Sequence, residues 1–207
     1  MKPGMATGIP HKPGEGVELT VDHKRIKKLI QIFFILLSII ILFHLIPIPF
    51  HSVYDAKEIK LDDPSYLENC QIHISGYYHL NVFQEDTFSG QITVSDYRLT
   101  SEKMSDVKIS SNGDHLDYSF QETCRGNSPP VKMCYSLGLM FSKRFFHDLC
   151  ILVYEENTQN KNGGAVQFGK PTGWVWGEEN GYCIVPNASS REEALNKLRK
   201  LGLINTF

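Results

Sequence analysis

Apolar and polar residues follow three different rhythms along this chain. Leu29 to Ile46 reads LIQIFFILLSIIILFHLI, 18 residues without a formal charge. As a helix it is about 27 Å long, close to a bilayer hydrocarbon core of about 30 Å. Its polar residues fit such a span: Gln31 and His44 fall near the ends, and Ser38 can bond back to a helix carbonyl. Pro47 and Pro49 mark its end, since proline removes a donor and disfavours helix before it.

From Gln71 the period drops to two. Ile72 and Ile74, then Tyr78, Leu80 and Val82, alternate with polar neighbours, and Gly76 marks a bend or bulge. Ile92 and Val94 follow a turn over Gln84–Gly90, so these two strands are expected to pair as a hairpin. A second hairpin is predicted from Val107–Ser110 and His115–Phe120, because Asn112-Gly113 suits a tight turn. Further strands are expected over Cys134–Phe141, Leu149–Tyr154, Ala165–Phe168, Gly173–Trp176 and Tyr182–Val185. The polar segment Glu155–Gly164 between them reads as a loop.

The last rhythm is helical, over residues 190–201. Ser190 and Glu193 fit a capping box, and Ala194, Leu195, Leu198 and Leu201 line one face. Acidic residues begin the helix and Lys197, Arg199 and Lys200 end it, matching its dipole. Gly202 suits the left-handed residue that closes a helix, with Leu203 placed to contact Leu198. The predicted fold class is mainly β: one N-terminal transmembrane helix, then an antiparallel meander closed as a barrel or sandwich, with a C-terminal amphipathic helix on one face.

Charge gives the apolar run an orientation. Lys24, Arg25, Lys27 and Lys28 precede it, while Pro47 to Tyr54 carries neither Lys nor Arg. The positive-inside rule leaves the N-terminus cytoplasmic and the C-terminal domain extracytoplasmic, at the cell membrane. The run is too long for a cleaved signal and lacks a small-x-small site after it, so it reads as an uncleaved signal anchor. Four segments are expected. They are a flexible basic tail (1–28), the transmembrane helix (29–46), a juxtamembrane spacer (47–69) and an extracytoplasmic β domain (70–207).

Composition narrows the partners. Residues 1–54 hold 6 Lys/Arg against 3 Asp/Glu, a balance of +3, and residues 55–207 hold 15 against 20, a balance of −5. An acidic outer domain repels phosphate backbones, which argues against nucleic acid. The five cysteines show no C-x-x-C pair and no zinc-ligand spacing. Cys124 and Cys134 flank the turn-rich RGNSPP segment and are a candidate disulfide in an oxidising compartment. Cys150, inside an apolar run, reads as a small core residue.

Candidate chemistry is sparse. Gly164–Lys170 matches the start of a phosphate-binding loop, but Pro171 replaces its hydroxyl residue and a strand pattern follows where a helix is required. The carboxylate pairs Asp62-Asp63, Glu155-Glu156 and Glu178-Glu179 lie on loops, where neighbours point apart. His73, His79, His115 and His147 have no metal-ligand spacing, and no serine or cysteine sits in a nucleophile motif. No catalytic, cofactor or metal residue is therefore assigned. Trp174, Trp176 and Tyr182 form an aromatic group that suits either a contact surface or core. Asn187-Ala188-Ser189 is a glycosylation sequon only in a glycosylating pathway.

These readings lead to a non-catalytic, membrane-anchored binding module. Its partners are the lipid bilayer through residues 29–46 and an envelope protein or glycan through the β domain. Two alternatives predict different behaviour: a regulatory subunit docking on another membrane protein through its helix, and a membrane-tethered hydrolase.

Overall fold

A computed structural model describes residues 23–122, 131–154 and 176–204. Two units divide the chain at Ile39 and Ile40. Helix α1 (His23–Leu45) has the Ser38 hydroxyl donating to Phe34 O at 2.8 Å, the back-bond expected for a serine in an apolar helix. Its apolar side chains from Leu29 to Ile41 are all exposed, from 39% to 65%, on every face of the helix. Among the described residues no helix is long and apolar enough to cross a membrane. The side chains described on α1 are those of residues 24–41, a stretch that includes Lys24, Arg25, Lys27 and Lys28.

The second unit is a curled antiparallel sheet with a C-terminal helix. Its strands are β1 (Ile48–Lys60), β2 (Leu67–His79), β3 (Asp86–Val94), β4 (Lys103–Met104), β5 (Val107–Ile109), β6 (Asp114–Glu122), β7 (Val131–Lys143), β8 (His147–Val153) and β9 (Tyr182–Pro186). In space they run β4-β6-β7-β8-β9-β1-β2-β3-β5. The two edge strands, β4 and β5, are thus consecutive in the chain, separated only by Ser105 and Asp106. The sheet must curl until its ends meet at this link. Irregular pairing in β6 between His115 and Asp117, and in β7 between Phe141 and Lys143, bends the strands to allow it. Across the interior, the Tyr118 hydroxyl donates to Ile92 O at 2.6 Å and ties β6 to β3.

Two apolar clusters follow from this curl. The inner one gathers Ile72, Ile74, Tyr78, Phe88, Ile92, Leu116, Tyr118, Leu137 and Ile151 inside the sheet. The outer one holds Ile59, Cys150, Leu152, Cys183 and Val185 beneath Ala194 and Leu198 of helix α2 (Arg191–Lys200). Strand β8 is buried on both faces, which explains its unbroken apolar run. Cys150 is fully buried there, as a core residue.

Helix α2 forms for the local reasons its sequence suggests. The Ser190 hydroxyl accepts from Glu193 N at 3.2 Å. The Glu193 carboxylate accepts from Ser189 N at 2.8 Å, one residue further back than a standard box. At the other end Gly202 has φ of 72°, with Leu203 N donating to Leu198 O and Gly202 N to Arg199 O, the paired bonds of a Schellman closure.

Three expectations are corrected. Residues 47–69 are not a spacer: they contain β1 and the start of β2, and β1 sits in the middle of the sheet. Its inner face is mixed, with Ser52 and Glu58 among Ile48, Phe50, Tyr54 and Ala56, and Pro49, with Pro47 just before the strand, hides the alternation. The turn at Gly113 forms with φ of 84°, but its flanking strands do not pair with each other. Strand β5 pairs with β3, and β6 with β4 and β7. Gly76 makes no bulge, since β2 and β3 stay in register through it. Ala165–Phe168, the Glu155–Gly164 loop and residues 173–175 lie outside the described residues.

Candidate functional site

Two places in the sheet carry polar chemistry against its interior. The first is Glu58, a fully buried carboxylate on the inner face of β1. Its Oε1 accepts from the Tyr97 hydroxyl at 3.0 Å and the Tyr66 hydroxyl at 3.1 Å. Burial, and then the negative charge of Glu58, raise the Tyr97 phenol far above its ordinary range, so Tyr97 stays protonated and donates. Tyr182 packs edge-on against Tyr66, with ring centroids 5.3 Å apart. Glu68 lies opposite Glu58 in the β1–β2 register, and Asp96 follows β3. One carboxylate oxygen from each of Glu58, Glu68 and Asp96 lies within 4.8 Å of the others. Three such donors are of the type that hard divalent cations take.

The second place is an opening in the wall of the sheet. Strand β1 pairs with β2 over residues 48–59, but with β9 only over 56–60. Strand β9 stops at Pro186, and Asn187, with φ of 54°, turns the chain away. Below that point, among the described residues, no strand lies between β1 and β8. A cleft of about 350 Å³ occupies the space, lined by Tyr54, Phe146 and Leu149 from the interior and by His147, Lys197 and Lys200 at its mouth.

Main-chain direction within β1 decides what this opening offers. Asn187 N donates to Asp55 O at 2.8 Å, so Asp55 turns its main-chain groups toward β9. Strand alternation then aims those of Val53, His51 and Pro49 the same way, past the end of β9. Among the described residues no backbone hydrogen bond reaches this row. Pro49 fits the arrangement, because a proline in a sheet needs its nitrogen on an unpaired side.

The backbone around the cleft is unusual. The non-glycine residues with positive φ among the described residues are Phe145, Phe146, Asp148 and Asn187, and all four line it. Left-handed backbone at non-glycine residues costs roughly 1–3 kcal/mol each and persists only where surrounding contacts hold it. Here the contacts are aromatic: Phe145 stacks on Tyr78 with centroids 4.6 Å apart, and Phe146 packs on Phe50 and Phe88, each at 5.1 Å.

The aromatic residues singled out from the sequence are not brought together as one surface. Trp174 lies outside the described residues. Trp176 joins the outer cluster and donates its indole N–H to Tyr182 O at 3.1 Å. The Tyr182 ring packs on the inner cluster instead, with Lys60 over it at 5.6 Å. Cys124 also lies outside the described residues, while Cys134 is exposed on β7 opposite Ser119.

Of the histidines, His115 meets the Tyr154 hydroxyl at 3.0 Å through Nδ1. Neither the buried Glu58 nor the β1 opening was expected from sequence. The signal for the opening was Pro49 inside an alternating run, and no local pattern announced that Glu58 points inward. Compared with protein families, curated proteins and solved structures, the chain gives no significant match to any of them.

Proposed function

We propose that this chain is a single-pass membrane protein whose helix α1 anchors a non-catalytic β domain that binds a partner outside the cytoplasm. The supporting observation is the sleeve of exposed apolar side chains from Leu29 to Ile41. A helix apolar on every face is unstable in water and at home in a bilayer. In sequence the apolar run continues to Ile46. Four cations precede it, each contributing about 1 kcal/mol of attraction to an anionic leaflet. They favour a cytoplasmic N-terminus.

Binding, rather than catalysis, is supported by the main-chain row of β1, unpaired among the described residues, beside a cleft with an apolar floor and a basic mouth, a feature suited to holding a chain.

Membrane extraction tests the anchor directly. The full chain is expected to stay with membranes in alkaline carbonate, and Leu36→Asp with Ile40→Asp to release it. Release of the unaltered chain would overturn the anchor. Orientation is read from a membrane-impermeant thiol reagent on a Cys124→Ser, Cys134→Ser background, since Cys134 is itself exposed, with Asn112→Cys labelled in intact cells and Lys2→Cys protected; the reverse pattern would place the β domain in the cytosol.

A further inference from the structure

We propose that the open stretch of β1, from Pro49 to Val53, is a docking edge to which an extended, acidic segment of a partner protein adds as a strand, continuing the line of β9. This deepens the binding-module reading and rests on it.

Geometry sets the mode. Strands β1 and β8 both flank β9, so at its level they lie two strand spacings apart, about 9.6 Å. Beyond Pro186 the row of Val53, His51 and Pro49 presents two N–H groups and three carbonyls. A long unpaired edge normally invites pairing, and proteins usually blunt it. This chain does so at its outer edges, where β4 has two residues and β5 three. The β1 edge is left open among the described residues. Added strands gain affinity from main-chain bonds and specificity from pockets for alternate side chains. The cleft floored by Tyr54, Phe146 and Leu149 provides the apolar pocket on one side of such a strand.

Charge selects the occupant. The exposed groups around the edge and mouth are His51, His147 and Lys200, with Lys197 beside them. Of the nearby carboxylates, Asp148 is paired with Lys143 at 2.7 Å, while Asp55, which accepts from the neutral Gln71 amide at 2.9 Å, keeps its charge beside the end of β9. Lys197 is held by Pro186 O and Asn187 O, so Lys200 is the ammonium most available to a ligand carboxylate. A second copy pairing β1 with β1 would set these basic groups against their equivalents, and the basic N-terminal tail is repelled for the same reason. An acidic partner strand is instead drawn to Lys200.

The test reads amide hydrogen exchange of the full chain in lipid nanodiscs, with a peptide of about ten residues alternating Glu and Val as the probe. The peptide is expected to slow exchange at His51 and Val53 by about ten-fold or more, and a Lys-Val counterpart to leave it unchanged. Val53→Pro removes a donor used in no bond among the described residues and should abolish the protection while keeping the fold. If that variant does not fold, His51→Pro removes the neighbouring donor of the same row. Lys200→Glu should weaken protection by about five-fold.

Protection before any peptide is added would show that the chain fills its own slot, and protection growing with protein concentration would assign a second copy. Either result, protection confined to other strands, or none with excess peptide, overturns the proposal. The carbonate experiment is independent of this readout, so failure of the anchor and failure of the docking edge are distinguishable.

Discussion

Gly76 and Gly90 face each other across β2 and β3, and the ring of Phe88 closes over both. A Cβ on Gly90 would lie 2.4 Å from Ser75 O, 2.6 Å from Gly76 Cα and 2.9 Å from the ring. Two of these atoms are backbone in the centre of a paired sheet and cannot give way. Gly90→Ala is therefore expected to destabilise the domain by about 2–3 kcal/mol, as overpacking of a core does. Urea unfolding monitored by circular dichroism measures it, and a loss below about 0.5 kcal/mol would show that the two strands can separate.

Asp86 gathers three donors at the start of β3. Tyr78 Oη donates to its Oδ2 at 2.8 Å, Asn81 N to its Oδ1 at 2.8 Å, and Arg144 Nε lies 3.1 Å from Oδ2. The carboxylate is buried while Arg144 is exposed, so the neutral donors carry most of the effect. Asp86→Ala should cost about 3 kcal/mol by leaving buried donors unsatisfied, and Asp86→Asn about half that. Equal losses in the two variants, measured by thermal unfolding, would remove the hydrogen bonds as the cause.

Alkaline pH should unfold the domain earlier than the exposed lysines would suggest. Burial pushes the Cys183 thiol up to about 12 from an ordinary 9.0, and raises Cys150 in the same direction. Below pH 9 both folded and unfolded states keep the thiol protonated, and stability does not depend on it. Above that the unfolded chain releases the proton and the folded chain holds it. For Cys183, stability therefore falls between pH 9 and about 12, by about 1.4 kcal/mol per pH unit, and Cys150 acts in the same direction. Urea midpoints across this window should fall less steeply in Cys183→Ala. An unchanged slope in that variant would exclude this thiol as a source.

Trp176 tests whether an aromatic group near β9 is packing or binding surface. Its ring belongs to the outer cluster and its indole N–H is bonded, so Trp176→Ala should lower stability by about 2 kcal/mol. Trp176→Phe should cost about 1 kcal/mol, the share of the lost hydrogen bond. Full retention of thermal stability in Trp176→Ala would return this residue to the exposed surface.

The elements readable from sequence are those whose reasons are local. Helix α2 declares itself through Ser190, Glu193 and Gly202, and β8 and β9 through short apolar runs. Strand β1 was obscured because its inner face mixes Ser52 and Glu58 with Phe50, Tyr54 and Ala56, and because Pro47 and Pro49 resemble a linker. The partner of β5 was illegible for a different reason. A turn at Gly113 fixes where the chain reverses, whereas pairing with β3 depends on a curl that the whole sheet imposes. The opening beside β1 belongs to that second kind, since it exists only because a strand far along the chain stops at Pro186.

The pairing of Ala56 with Pro186 joins residues 130 positions apart. During synthesis β1, β2 and β3 can pair as soon as they emerge, yet the other side of β1 waits for nearly the whole remaining chain before β9 arrives. Contacts so distant are slow to form, and an edge exposed for that interval is open to any neighbouring strand. Full-length synthesis is thus a condition for closing the upper half of β1, and chains halted before residue 182 should be the ones that associate wrongly.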